Sequence, residues 1–305
     1  MASWLKHPRY VRLREGLVQH LRPPKYRFRR LNPIVFLCGA DGSKGRDALR
    51  DYLHKYTPNL NIFYAERVWK IISDLGERDA LQMEEDLAKL ADLVIVIVES
   101  PGTFTELGAF SLSPSLRRKM LAIVDEKYKG DSSFISNGPI KWIDSESIFK
   151  PTIYTNLDKI LLAADEVQKR IKCIEKPRST KLEDLATSPK HLLFFICDLV
   201  SVIYPATIPM ISDYLAEISP SVVTNGINVP TLVGLATAMD LLRPVDVTSA
   251  SGMSTYYVPT ESVDLSHPFH HSRLLYLENQ RADYASVMLT IPEAKAVMEA
   301  ASAAK

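Results

Sequence analysis

Two carboxylates flank a sharp turn in the stretch ADLVIVIVESPGTFTELGAF, residues 91 to 110. Glu99 closes an apolar run, Ser100 follows, Gly102 and Thr103 complete the turn, and Glu106 stands in the apolar segment beyond. At the end of a buried strand, Gly102 lets a ligand come close to the backbone because no Cβ intervenes. Thr103 and the amides after it open a helix, where a ribose hydroxyl or a phosphate can be held. A carboxylate at position 106 then has three uses: binding a sugar diol, taking a proton, or attacking an electrophilic carbon. The bland alternative is a helix-dipole carboxylate with no chemistry, since acids favour a first turn. A second loop, GADGSKG, offers Gly39, Asp41, Gly42 and Ser43. It lacks the Gly-Lys-Ser/Thr ending of a P-loop and does not fit Gly-x-Gly-x-x-Gly. Those residues either line a ligand or make a tight turn.

The elements around these loops alternate. PIVFLCG reads as a buried strand, RDALRDYLHKY as a helix, LNIFYAE as a strand and RVWKIISDLG as a helix. DALQMEEDLAKLA is an amphipathic helix feeding DLVIVIVES, an apolar run typical of a strand covered on both faces. GTFTELGAFSL (helix), KMLAIVD and TIYTN (strands) and LDKILLAADEVQKRI (helix) continue the pattern. Such alternation predicts an α/β fold with a doubly wound, Rossmann-type parallel sheet whose site lies at the carboxyl ends of the strands. From about residue 189 the pattern turns helical, with HLLFFICDLVSVIY, MISDYLAEI and PTLVGLATAMDLL, before two β-prone runs around a Ser/Gly turn. Three helices and a hairpin follow the order of a winged helix-turn-helix. The expected divisions are a basic arm over residues 1–31, the α/β domain over 32–177 and a mostly helical, winged-helix-like domain over 178–305.

Composition suits a globular protein: 305 residues, 46% hydrophobic and 24% charged, enough for two cores. Cys38, Cys173 and Cys197 are far apart, which argues against a disulfide framework or a zinc knuckle. The N-terminus lacks the apolar core of a signal peptide, so a reducing cytoplasm is expected. Residues 191–211 are apolar enough to suggest a membrane span, but Asp198, Pro205 and Pro209 interrupt them and no membrane partner is expected. The net charge of +1 conceals an uneven distribution. Residues 1–31 hold nine Lys/Arg and one acid, Glu15; the rest of the chain holds 28 basic and 35 acidic residues. A basic arm can dock on the protein's own acidic body, on a second subunit or on a polyanion. Tyr26 and Phe28, interleaved with Arg27, Arg29 and Arg30, would suit phosphates plus stacked bases. His267, His270 and His271 lie close together without a Cys or acid to complete a metal site, and no metal is expected. Trp4, Trp69 and Trp142 are scattered and read as packing residues.

ESPGTFTELGAF resembles the Gly-Thr/Ser-x-x-Glu-Leu-Gly signature of the nucleoside 2-deoxyribosyltransferase family and its nucleotide-sensing relatives, over roughly residues 33–172. The resemblance implies a deoxyribosyltransferase-like domain with Glu106 as nucleophile. It also implies an aspartate near the ribosyl group, for which Asp86 is the matching candidate and Asp92 a weaker one. Transferases of that family carry a further aspartate six residues before the nucleophile to handle the proton of the departing base. Ser100 stands there instead. Nicotinamide leaves from a pyridinium that is already cationic and needs no acid. The expected substrate is therefore NAD, as substrate rather than cofactor, or another nucleotide with a good leaving group, and N-glycosidic hydrolysis is the expected reaction.

Arm, α/β domain and winged-helix-like domain together resemble the effectors encoded beside bacterial retrons. That likeness implies a toxic role in antiphage defence, with a reverse transcriptase and its branched RNA–DNA hybrid as partners, and self-association into a larger assembly. The helix expected over PTLVGLATAMDLLR has one cation, Arg243, which is poor for gripping phosphates. Protein contacts are therefore expected of that domain, and polyanion contacts of the arm. A non-catalytic nucleotide-sensing module and a nucleic-acid-binding regulator remain open beside the enzyme.

Overall fold

The computed structural model describes residues 3–22, 26–29, 31–57, 60–64, 66, 88, 90–174, 179–249, 252–261, 263 and 276–303. They form two compact units, one of residues 32–176 and the other of residues 1–31 together with 177–305. The chain thus begins in the second unit, leaves it to build the first, and returns.

In order along the chain, the elements of the split unit's first part are α1 (Pro8–Leu21) and β1 (Tyr26–Arg29). The α/β unit then contributes β2 (Ile34–Cys38), α2 (Lys44–Tyr56), β3 (Asn61–Phe63), β4 (Leu93–Val98), α3 (Pro101–Leu112), β5 (Met120–Asp125), α4 (Lys141–Glu146), β6 (Ile153–Thr155) and α5 (Ala164–Lys172). Its five strands run in the order β3-β2-β4-β5-β6, and every neighbouring pair is parallel. Counted within the unit this is 2-1-3-4-5, a doubly wound order whose switch point falls between β2 and β4. All six residues of β4 are buried, which is why it reads as an unbroken apolar run rather than an alternation. On one face Val35, Leu37, Ile95, Ile97, Leu121 and Ile123 pack with Leu49 and Leu53 of α2 and with Val167 and Ile171 of α5. On the other, Phe36 stacks on Phe63 at 4.8 Å and meets Phe110 of α3 at 6.1 Å. The helix expected over 157–171 is divided into a 3-10 turn, Leu157–Ala163, and α5, because Lys159 leaves helical geometry (φ −124°, ψ 42°). The helices expected over 67–76 and 79–91 lie outside the described residues apart from Ala88, Leu90 and Ala91.

After the α/β unit come β7 (Ser179–Leu182), α6 (Pro189–Ile203), α7 (Ile208–Ile218), α8 (Val229–Ala238), β8 (Leu242–Ser249), β9 (Gly252–Pro259), α9 (Leu277–Met288) and α10 (Pro292–Ala303). α6 is the centre of this unit: every residue from Leu192 to Ile203 is buried, including Asp198. Among the described residues no helix is long and apolar enough to cross a membrane.

The basic N-terminal segment is built into this unit. His7 caps α1 and Pro8 opens it; Tyr10, Leu17, Val18 and Leu21 form its buried stripe. Arg14 pairs with Glu217 of α7 and lies 5.5 Å from the Tyr214 ring. β1 pairs antiparallel with β7, turning Tyr26 and Phe28 inward. Phe28 meets His191 edge-on at 4.8 Å and Tyr26 meets Phe195 at 5.7 Å. The Tyr26 hydroxyl donates to the Ile218 carbonyl at 3.2 Å. Burial, aided by the Asp184 charge, pushes the Tyr26 phenol up to about 12. The two aromatics expected to stack on bases are therefore core residues. Alternation along a strand sends them inward while Arg27 points out.

α8 is shorter than the sequence suggests and ends at Ala238. Asp240 adopts a left-handed φ of 58°, and the Leu241 amide donates to the Ala236 carbonyl at 2.8 Å. Aspartate tolerates that geometry better than most residues. Arg243, expected on this helix, instead lies on β8 opposite Val258. Val245, Val247, Tyr256 and Val258 of the hairpin pack with Val297 and Ala301 of α10; neither α9 nor α10 was expected from the sequence.

Asp184 ties the β7 exit to the end of α7, accepting from the hydroxyls of Ser219 (3.0 Å) and Ser221 and from the Ala186 amide (3.0 Å). Its carboxyl is held below its ordinary range, chiefly by Ser221 and then by the Ala186 amide. A depressed carboxyl stabilises the fold above its unfolded pKa, and that contribution fades as pH falls through the folded value. Asp184→Ala is expected to cost about 1 kcal/mol at neutral pH. Denaturant titrations should show the gap from the parent narrowing on acidification.

Candidate functional site

In an open parallel sheet the crevice lies outside the carboxyl ends of the strands at the switch point, here β2 and β4. Each strand passes through a short loop into a helix: β2 through residues 39–43 into α2, and β4 through Glu99 and Ser100 into α3. Ser43 caps α2 by accepting from the Arg46 amide, and Ser100 caps α3 by accepting from the Thr103 amide. Two helix N-termini thus open beside adjacent strand ends, with their partial positive charge suited to anionic groups.

Glu99 joins the two loops. Its Oε1 accepts from the Ala40 amide at 2.9 Å, and its Oε2 accepts from the Ser43 hydroxyl at 3.1 Å. Below them lies Arg46, only 3% exposed, donating to the Gly39 carbonyl at 3.2 Å, paired with Glu66, and set over the Tyr64 ring at 4.0 Å. Gly39 has a steric reason: a Cβ there would come within 2.7 Å of Arg46 Cδ and 3.1 Å of Glu99 Oε1. Gly42 has a conformational one, its φ of +69°. Asp41 and Gly42 are exposed at the loop tip.

On the β4 side, the Thr103 hydroxyl accepts from the amides of Glu99 (3.0 Å) and Ser100 (2.9 Å) and donates to the Ser100 carbonyl at 2.9 Å. Buried and bonded in this way, it shapes the turn. Gly102 is exposed, and a Cβ there would meet only the Ser100 hydroxyl, at 3.8 Å. The protein's own packing does not require that glycine. Glu106 lies one turn beyond Gly102 and one before Phe110, whose ring faces Phe36 of the sheet. That places it on the sheet side of α3, nearer the strand ends than Phe110. Glu106 is half-buried, and its Oε2 is shielded from solvent.

The structure therefore brings Gly39, Asp41, Gly42, Ser43, Glu99, Ser100, Gly102, Thr103 and Glu106 to the ends of two adjacent strands and the helices that follow. Asp86 and Arg30 lie outside the described residues, as do His267, His270 and His271. Asp92 instead accepts from the Ile34 amide at 2.8 Å, at the opposite ends of the strands. Arg46, Tyr64 and Glu66 were missed. Only the burial of Arg46 beneath the loop distinguishes it from the other cations of α2, and one-dimensional spacing carries no sign of that. Among the described residues, no group of His, Cys, Asp and Glu could hold a metal ion.

A family model described as STM3845 retron effector protein matches residues 42–243. Two curated relatives, both from Escherichia coli, are named as candidate ribosyltransferase/DNA-binding proteins of retrons Ec86 and Ec73. The first is 36% identical over 144 residues, covering 45% of this chain and 47% of the relative. The second is 40% identical over 122 residues, covering 37% and 39%. The chain thus spans less than half the length of each of these relatives.

Gly39→Ala should force Arg46 aside and lower stability by about 1–3 kcal/mol. In an Arg46→Ala background the same substitution should cost much less, because the clashing Cδ is gone. A four-member thermal or denaturant cycle measures the difference; equal costs in both backgrounds would contradict the steric account.

Proposed function

The chain belongs to the STM3845 retron effector family, and from that premise we propose that its α/β unit is an N-glycosidase of the nucleoside 2-deoxyribosyltransferase type, acting on NAD with Glu106 as nucleophile. The observation that carries this reading is the position of Glu106: on the helix that follows the switch-point strand, facing the sheet, with one carboxylate oxygen shielded from solvent. The relatives' names, which include ribosyltransferase, support it.

The chemistry follows that of a retaining glycosidase. A Glu106 oxygen bonds to C1′ of the ribose as the C1′–N bond breaks through an oxocarbenium-like transition state. The bonding pair moves onto the pyridinium nitrogen, which departs as neutral nicotinamide. Water then attacks C1′, releases Glu106 and gives up a proton, leaving ADP-ribose. No acid is required for departure, which suits a serine at position 100, where transferases of this type use an aspartate. In this reading Ser100 caps the helix, Glu99 fixes the loops and the open face of Gly102 admits the sugar. Asp86 would assist near the ribosyl group.

In the cell, the protein acts as the toxic effector of a retron antiphage system in the bacterial cytoplasm. A reverse transcriptase and its branched RNA–DNA hybrid restrain it within an assembly of several copies, and infection releases depletion of the nucleotide pool. Its α6–α7–α8 and β8–β9 order suits a winged-helix-like domain that contacts protein, because α8 is buried on nearly every side and carries no cation. DNA contact, a property in the relatives' names, then falls to other surfaces of the unit.

Glu106→Gln keeps the side chain's shape and removes the nucleophile. In the active assembly it should lower nicotinamide release from NAD by about 1,000-fold or more, with complex formation and thermal stability unchanged. Full toxicity in the variant would favour a nucleotide sensor, and absence of nicotinamide release by the parent in every assembly state would exclude NAD.

A further inference from the structure

We infer that the outward face of the β1/β7 ribbon, centred on Arg27 and Lys181, is a phosphate-backbone contact for double-helical nucleic acid. The inference rests on the nucleic-acid part of the proposed function and is independent of the glycosidase part. Register places Arg27 directly opposite Lys181, and both side chains are exposed. Like charges facing each other across an antiparallel pair destabilise it. Neither has an ion-pair partner among the described residues, although Arg14, Arg46, Arg50, Arg117 and Arg170 each have a carboxylate. Among the described residues the ribbon thus holds a like-charge pair without an ion-pair partner, which an external anion would stabilise.

Its underside is fixed. Tyr26 and Phe28 pack on Phe195 and His191, and the Tyr26 hydroxyl bonds to Ile218. The outer face is therefore held in place before any partner arrives. What it presents also selects the partner. Ser179, Arg27 and Lys181 are polar, whereas the apolar partners Tyr26, Phe28 and Leu182 point inward or are half-buried. A lipid surface or an amphipathic acidic peptide would need apolar side chains beside the cations. Single strands would need aromatic faces on which to stack, and those faces are in the core. Cations without apolar or aromatic neighbours suit the phosphates of a duplex, gripped without reading its sequence. A strand edge bearing Lys can also serve to prevent strand addition between molecules, and the test separates that role.

The test compares the full chain with Arg27→Gln/Lys181→Gln, using a fluorescent 20-base-pair DNA duplex of mixed sequence. Because the substitutions remove a repulsion, the melting temperature should stay level or rise, so weaker binding does not report unfolding. Affinity should fall several-fold. The plot of log K against log salt should become shallower by about 0.9 for each phosphate that the variant no longer neutralises. Duplex binding by the parent with an unchanged slope in the variant overturns the ribbon assignment and leaves nucleic-acid contact elsewhere. No duplex binding by the parent at low salt overturns both. Equal loss of affinity for polyglutamate, bound as tightly as the duplex at the same salt, assigns the face to acidic protein and also overturns the proposal. Self-association of the variant with duplex affinity intact makes the cations edge guards, with the same consequence.

Discussion

The carboxylate of Glu99 holds the two loops of the switch point at a fixed separation, one oxygen on the Ala40 amide and the other on the Ser43 hydroxyl. Parallel strands bring their carboxyl ends side by side, but the loops that leave them have no ladder of their own. Two charge-assisted hydrogen bonds from the β2–α2 loop to this one side chain of the β4–α3 loop supply the missing link. Arg46 completes it from below through the Gly39 carbonyl, and its bulk explains why position 39 has no Cβ. The result is a pair of helix N-termini that open at a set distance, with the β4–α3 turn fastened by Thr103. A side chain in the first turns of α3, such as Glu106, gains directional precision from that rigidity.

The second unit applies the same economy of interactions to a different end. Residues 1–31 bring a high positive charge into a fold whose core they help to build: the apolar stripe of α1 and the inward side of β1 are buried, and Arg14 is neutralised by Glu217. Charges that neither pack nor pair are left on the outside. The sequence order of helices before a hairpin suggested a nucleic-acid reader, yet α8 is sealed within the unit. A buried helix cannot enter a groove, so order along the chain and access to a partner are separate questions.

The alternation of strands and helices, the parallel sheet and the loops that carry the candidate site were legible because each depends on local pattern. LVIVIV has to be a strand covered on both faces. The motif around Glu106 drew attention through residue types at close spacing. Less visible was the division of labour among those residues. Glu99 and Thr103 hold the loops through bonds that no spacing announces, because what a polar group binds depends on which loop lies within hydrogen-bonding reach of it.

The sequence by itself determined the α/β class, the order of the α/β unit's strands along the chain and the chemistry open to a glutamate at position 106. All of these follow from propensities and spacings of a few residues. Only the tertiary structure decided that a charged N-terminal segment is core, that Phe28 faces His191 rather than a base, that Arg27 stands opposite Lys181, and that Arg46 lies under the Gly39 loop. Those outcomes depend on residues as many as 203 positions apart meeting in space. Burial and register over such separations are set by the whole fold, and a side chain's charge or ring gives no local sign of which side it will face.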